Sequence, residues 1–162
     1  MKTKCLLFVP AAALLAALTC APVLSAKDIT LAECPASVQQ AINQNLAGGT
    51  LDEVDLISIQ GQNLYVAEVK LPSAKHERKL YLNANGTVTK VRDDIALSEA
   101  PAAVQDAAKK LASTTGRVDD VEKETEGDKV TYRVEIDRQE KDGGDIKAVF
   151  SADGTILTQK AD

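Results

Sequence analysis

Polar and apolar residues alternate with a period of two from Asn63 to Leu71. Tyr65, Ala67, Val69 and Leu71 share one face, and Val66, Glu68 and Lys70 share the other. That period predicts a strand with one buried face. The alternation returns where Tyr132, Val134 and Ile136 interleave with Arg133, Glu135 and Asp137. Elsewhere the spacing is helical: Val38, Ala41, Ile42 and Leu46 follow Pro35, and Val104, Ala107, Ala108 and Leu111 follow Pro101. Proline suits a helix's first turn because the N–H it lacks has no intrahelical partner there. Gly48-Gly49 is expected to end the first helix, since glycine takes a left-handed conformation at little cost. Further strands are expected at Leu51 to Ile59, Arg78 to Leu82 and Thr87 to Arg92. Turns fall at Gly61-Gln62-Asn63, across Pro72 to Lys75, and at Asn85-Gly86, a strong two-residue hairpin signal.

The order of elements recurs because the sequence does. Ile29-Thr-Leu-Ala-Glu-Cys-Pro-Ala-Ser-Val-Gln-Gln40 and Ile95-Ala-Leu-Ser-Glu-Ala-Pro-Ala-Ala-Val-Gln-Asp106 are identical at seven of twelve positions, at an offset of 66. Val118 and Val121 align with Leu51 and Val54, Tyr132 with Tyr65, and Asp153-Gly154 with Asn85-Gly86, so the added residues fall in loops. A fixed internal period of this length marks a repeated supersecondary unit. The fold class expected is α+β: two tandem units, 27–94 and 95–162, each one helix on a four-stranded antiparallel sheet. A one-residue slip would carry Tyr132 to solvent and Arg133 to the core, so register is well specified. Units this small have thin cores. The two are therefore expected to pack together, and the pattern allows one continuous eight-stranded sheet.

Residues 1–26 read as a leader rather than as fold. Met1-Lys-Thr-Lys4 is positive, Cys5 to Val23 is almost wholly apolar, and Leu24-Ser25-Ala26 offers a small residue for cleavage. This is the pattern of a secretory signal peptide, cut after Ala26. A membrane anchor is the alternative, since about 20 apolar residues span a bilayer; Pro10 and the many alanines argue against it. Ala17-Leu18-Thr19 before Cys20 matches a lipobox poorly. Cleavage would remove Cys5 and Cys20 and leave Cys34 with no internal disulfide partner. It would also remove Lys2 and Lys4, taking the formal charge from −5 to −7. An acidic domain exported to the periplasm or beyond is a poor partner for nucleic acid, which needs clustered Lys and Arg, and for anionic membrane surfaces.

Few residues offer chemistry. A nucleophilic cysteine needs a base, and His76 is the only histidine, in a different element from Cys34. Cys34 is read as an inert small residue at a helix start, and His76 as a solvated member of the charged run Lys75 to Lys79. Asp142-Gly-Gly-Asp145 falls short of the six to eight oxygens of a calcium loop and is read as turn chemistry. Asp119-Asp120 with Glu122, Glu124 and Glu126 is read as the wet face of an exposed strand edge, where charge discourages aggregation. No catalytic residue, cofactor or metal ligand is assigned. What remains is the solvent face of the sheet. Val66, Glu68, Lys70 and Tyr81, with Arg133, Glu135, Asp137 and Val149, form the candidate partner surface, an apolar centre with a charged rim.

The Pro-Ala-x-Val helix start, the Tyr-x-Val-x-Ile strand and the closing Asp-Gly-Thr-Ile hairpin resemble PepSY-type domains. More closely, the chain is similar to PepSY-like modules of β-lactamase-inhibitor-protein-like fold, which occur in tandem in exported bacterial proteins. The resemblance covers nearly the whole chain after residue 26 and rests on structural motifs. It implies binding: PepSY domains occur in propeptides of secreted peptidases and in envelope proteins, where they inhibit or restrain, and the inhibitor protein presents a concave eight-stranded sheet to its enzyme. This sequence departs from such inhibitors in lacking Trp and having only three Tyr. Tyr65 and Tyr132 are read as core, leaving Tyr81 outward. The function expected is an exported, non-enzymatic protein- or peptide-binding module, holding its partner on the open sheet face or at an exposed strand edge by β-augmentation, as an inhibitor or regulator of a peptidase or other envelope protein. The alternative is an envelope-stress or structural protein with no tight partner; a hydrolase or redox enzyme is the reading with least support.

Overall fold

The computed structural model describes residues 25–59, 61–72, 76–112, 116–138 and 144–161. The stretch read as a leader, up to residue 24, most of the Pro72 to Lys75 segment, and Asp142 and Gly143 lie outside the described residues. Nine strands form a single antiparallel sheet in sequence order: β1 Ser25–Ile29, β2 Thr50–Ile59, β3 Gln62–Lys70, β4 Glu77–Asn83, β5 Val88–Asp94, β6 Gly116–Glu126, β7 Lys129–Arg138, β8 Ile146–Ser151 and β9 Ile156–Ala161. Two helices, α1 Ala36–Gln44 and α2 Ala102–Ala112, cover one face.

The two halves meet edge to edge through β5 and β6, from Val91 opposite Thr125 to Asp94 opposite Glu122. The sheet is thus continuous, with one strand more than the eight expected. The ninth is β1, paired from Ser25 opposite Ser58 to Ile29 opposite Val54. Its sequence, Ser-Ala-Lys-Asp-Ile, has no apolar alternation because an edge strand with a wet side needs little. It also runs into the stretch read as leader.

Each helix packs on its own part of the sheet. Val38 and Ile42 of α1 are fully buried against Val54, Ala67, Val69, Leu80 and Leu82. Val104 and Ala108 of α2 are buried against Val121, Val134, Ile136, Ala148 and Phe150. Each large side chain so buried contributes roughly 1.5–3 kcal/mol relative to exposure. Tyr65 and Tyr132 lie in these cores as expected.

The repeated twelve residues prove to be the seat of each helix. Glu33 accepts the Thr30 N–H at 2.7 Å, and Glu99 accepts the Ala96 N–H at the same distance, each closing a single 3-10 turn. Gln39 Nε2 donates to the Cys34 carbonyl at 2.8 Å, and Gln105 Nε2 to that of Ala100 at 2.9 Å. Pro35 and Pro101 then start the helices, their carbonyls accepting from the Gln39 and Gln105 N–H groups.

The first helix ends earlier than expected, at Gln44. The chain then turns through Ala47 and Gly48, both at positive φ, and Leu46 joins the core from outside the helix. One further element is placed differently from its sequence reading. Strand β6 is not an edge: it lies between β5 and β7. Alternating acids suggested a wet border, but their neighbours across the sheet supply cations.

Candidate functional site

The sheet face away from the helices is built of cross-strand rows. One runs Glu53, Glu68, Lys79, Arg92, Glu124, Thr131. The next runs Asp94, Glu122, Arg133, Val149, Thr158. Residues opposite one another on one face interact directly, so these rows become a network of ion pairs. Arg92 lies 2.9 Å from Glu124 and 3.6 Å from Glu122, Arg133 lies 3.1 Å from Glu122, and Lys90 lies 3.4 Å from Glu124. Lys79 pairs with Glu68.

Most of these groups are half-buried, which sets their chemistry. Burial pushes the Glu124 carboxyl up, but Arg92 and Lys90 more than offset this and hold it below its ordinary range. Burial wins at Glu122, whose carboxyl sits above its ordinary range in spite of Arg92 and Arg133. Asp94 is likewise raised, first by burial and then by Asp120 among its neighbours.

Asp94, Asp120 and Glu122 bring carboxylate oxygens within 4.8 Å of one another. The sequence did not show this group, because Asp94 belongs to the first half and the other two to the second; only β5–β6 pairing joins them. Arg92 and Arg133 already answer the charge of Glu122 within this group. His76, half-buried rather than solvated, lines a hollow of about 270 Å³ with Asp94, Asp119 and Asp120.

The eight residues of the candidate surface fall on this face, with different roles. Tyr81 has Lys90 and Arg92 of neighbouring β5 beside it, their charged groups 5.5 and 5.7 Å from its ring centre. Cations over an aromatic face are attracted to its quadrupole. Val66, directly opposite Tyr81, is 5% exposed, so it supports the face more than it presents a contact. Glu68 and Arg133 are tied into the ion pairs above. Glu135 reaches Lys147 at 3.7 Å and Val149 stands opposite Arg133. Lys70 and Asp137 sit at strand ends in exposed pairs, with Asp52 and with Arg117. A depression of about 580 Å³ opens over the second half, between Glu122, Arg133, Glu135, Val149 and Lys160.

Cys34 is on the other side of the sheet, 5% exposed in the α1 core. Its thiol donates to the Thr30 carbonyl, and burial raises its pKa. A thiol so placed is little ionised and chemically quiet.

No family model matches the chain, and no curated protein sequence is significantly similar to it. Solved structures do share its fold. A DUF2874 family protein from Bacteroides uniformis is 20% identical with a TM-score of 0.62, covering 79% of this chain and 89% of its own. A protein of Bacteroides eggerthii proposed to be periplasmic is 19% identical at a TM-score of 0.62, over 79% and 88%. A BLIP-like protein from Bacteroides fragilis is 19% identical at 0.59, over 78% and 86%. The fold expected from the sequence motifs, that of β-lactamase-inhibitor-protein-like modules, is therefore matched by solved structures.

Proposed function

We propose that the chain is an exported, non-enzymatic module that binds a protein or peptide in the cell envelope on the outer face of its sheet. The carrying observation is Tyr81, with Lys90 and Arg92 close to its ring on a face whose ion pairs run across five strands. Such a surface is preorganised: its charged side chains already hold one geometry, so little ordering remains on binding. Aromatic and arginine side chains in that setting are the groups that dominate interface energies. Inhibition or regulation of a secreted or periplasmic peptidase is the role in keeping with the fold of the BLIP-like relative. Residues 1–26 serve as the signal peptide in this reading. Cleavage after Ala26 would leave Lys27 to Ile29 to pair with Val54 to Leu56. The mature chain is then two tandem units, 27–94 and 95–162, with β2–β5 and β6–β9 as the four strands of each.

One observation favours a second reading, a stress or structural protein with no tight partner. The buried acids of the face find cations within the face itself, so no partner is needed to neutralise them. Capture from envelope extracts separates the two. Tyr81→Ala and Arg133→Glu should each abolish retention of a partner that the native protein holds. Retention unchanged by both substitutions would refute the sheet-face reading, and the absence of any retained partner would favour the second.

A further inference from the structure

The outer face carries its charges in stripes that follow the strands. Asp28, Glu53, Asp55 and Glu68 outnumber Lys70 on β1 to β3; Lys79, Lys90 and Arg92 outnumber Glu77 and Asp94 on β4 and β5; Asp120, Glu122 and Glu124 make β6 acidic. Strand β7 is mixed, with Arg133 and Glu135. The series ends at β8 and β9, where Lys147 stands directly opposite Lys160. Like charges opposed on one face destabilise each other. Lys147 has Glu135 on its inner side. Among the described residues, Lys160 has a lysine on its one neighbouring strand and no strand beyond it, and both lysines border the 580 Å³ depression.

Strand β9 is exposed along its whole length. It carries two of the exposed large apolar side chains, Ile156 at 45% and Leu157 at 47%. Its single irregularity leaves Leu157 without a partner on β8. Edges are ordinarily guarded by charge, proline, a bulge or a covering loop, because their free N–H and C=O groups accept another strand. Strand β9 has one charge, a bulge confined to its start at Leu157, and no proline. The opposite edge, β1, has Lys27 and Asp28 at its centre, and Lys27 leans toward Glu33 at 4.0 Å.

We propose that β9 is an acceptor edge on which an extended peptide segment of a partner adds as a further strand. An acidic side chain of the peptide lies beside Lys160, continuing the alternation of charge, and an apolar one covers Ile156 and Leu157. The inference rests on the binding-module reading and gives its ligand a chemistry. Main-chain hydrogen bonds along the edge supply affinity, and alternate side chains supply selectivity.

The test uses purified protein and two fluorescein-labelled heptapeptides, one alternating valine with glutamate and one with lysine in place of glutamate. Anisotropy reports affinity, and amide hydrogen exchange reports location. The glutamate peptide should bind and slow exchange within Ile156 to Ala161. Lys160→Glu, an exposed substitution that leaves the core untouched, should weaken it about tenfold, a step of about 1.4 kcal/mol, and make the lysine peptide the tighter ligand. Asp106→Ala, an exposed substitution on α2 far from the edge, should leave peptide binding unchanged. No binding of the glutamate peptide, binding indifferent to Lys160→Glu, or protection on strands other than β9 would each overturn the proposal. A dimer that Lys160→Glu disperses, with no peptide bound, would also overturn it and assign the edge to a second copy, whose β1 offers Asp28. Envelope capture lost with Tyr81→Ala but kept with Lys160→Glu would sink the edge while leaving the binding-module reading standing.

Discussion

Residue by residue, the repeated segment encodes support rather than chemistry. Glu33 and Glu99 close turns, Gln39 and Gln105 hold the backbone ahead of each helix, and Val38 and Val104 fill the cores. The hairpin glycines complete the seat. Gly86 and Gly154 both take φ of +83°, and a Cβ on either would fall 2.5 Å from a first-turn helix carbonyl, of Ser37 or of Ala103. Gly154→Ala should therefore cost about 1–3 kcal/mol of stability, read as a lower urea midpoint. A loss under a few tenths would show that the hairpin and α2 do not press together. The sequence marked both glycines as turns, but their packing against helices 50 residues distant depends on the folded sheet.

Asp55 gives a pH-dependent prediction at the same scale. Burial raises its carboxyl above the ordinary 3.8, and the facing Asp28 adds to the rise. A carboxyl raised in the native state favours folding while it is protonated in both states and opposes folding once pH climbs through its native value. Asp55→Asn should raise the urea midpoint at pH 7, and the gain should vanish as pH falls below 3.8. A gain that persists in acid would mean that ionisation is not its source.

Among the elements, strand type was legible and strand environment was not. Alternation identified β3 and β7 and put Tyr65 and Tyr132 inside, because a period of two assigns faces without reference to neighbours. It could not say that β6 is interior, since Glu122 and Glu124 look like wet-face residues until β5 brings Arg92 alongside. Strand β1 escaped notice because an edge needs no apolar face, and its first residues adjoin the leader pattern. The pairing across β5 and β6 is testable. Arg92 is 20% exposed by side chain, and Glu122 and Glu124 are 17% and 16%. Arg92→Met leaves half-buried Glu122 and Glu124 with one cation each, Arg133 and Lys90, and should cost roughly 1–3 kcal/mol. Adding Glu124→Met should recover much of it, since replacing both partners of such a pair by apolar groups is often nearly neutral. A single substitution without cost would show that the charges are solvated separately.

At the scale of the whole molecule, one sheet has two unlike faces. The helix side is a closed core in which Cys34 is sequestered. The other side is open, charged in stripes, and organised around Tyr81. The eight surface residues named from sequence reach that face because strand parity alone places them there. Their ranking was hidden: Val66 is covered, Lys70 and Asp137 are peripheral, and Lys90, Arg92 and Glu124 hold the middle through contacts no single repeat contains. The proposed function requires that this open face meet a partner. A photo-cross-linking amino acid placed at Val149 on the open face, and in a parallel protein at exposed Asp106 on α2, would report such a contact in cells. A single adduct from Val149 with none from Asp106 is expected. Adducts from Asp106 alone, or none from either position, would contradict it.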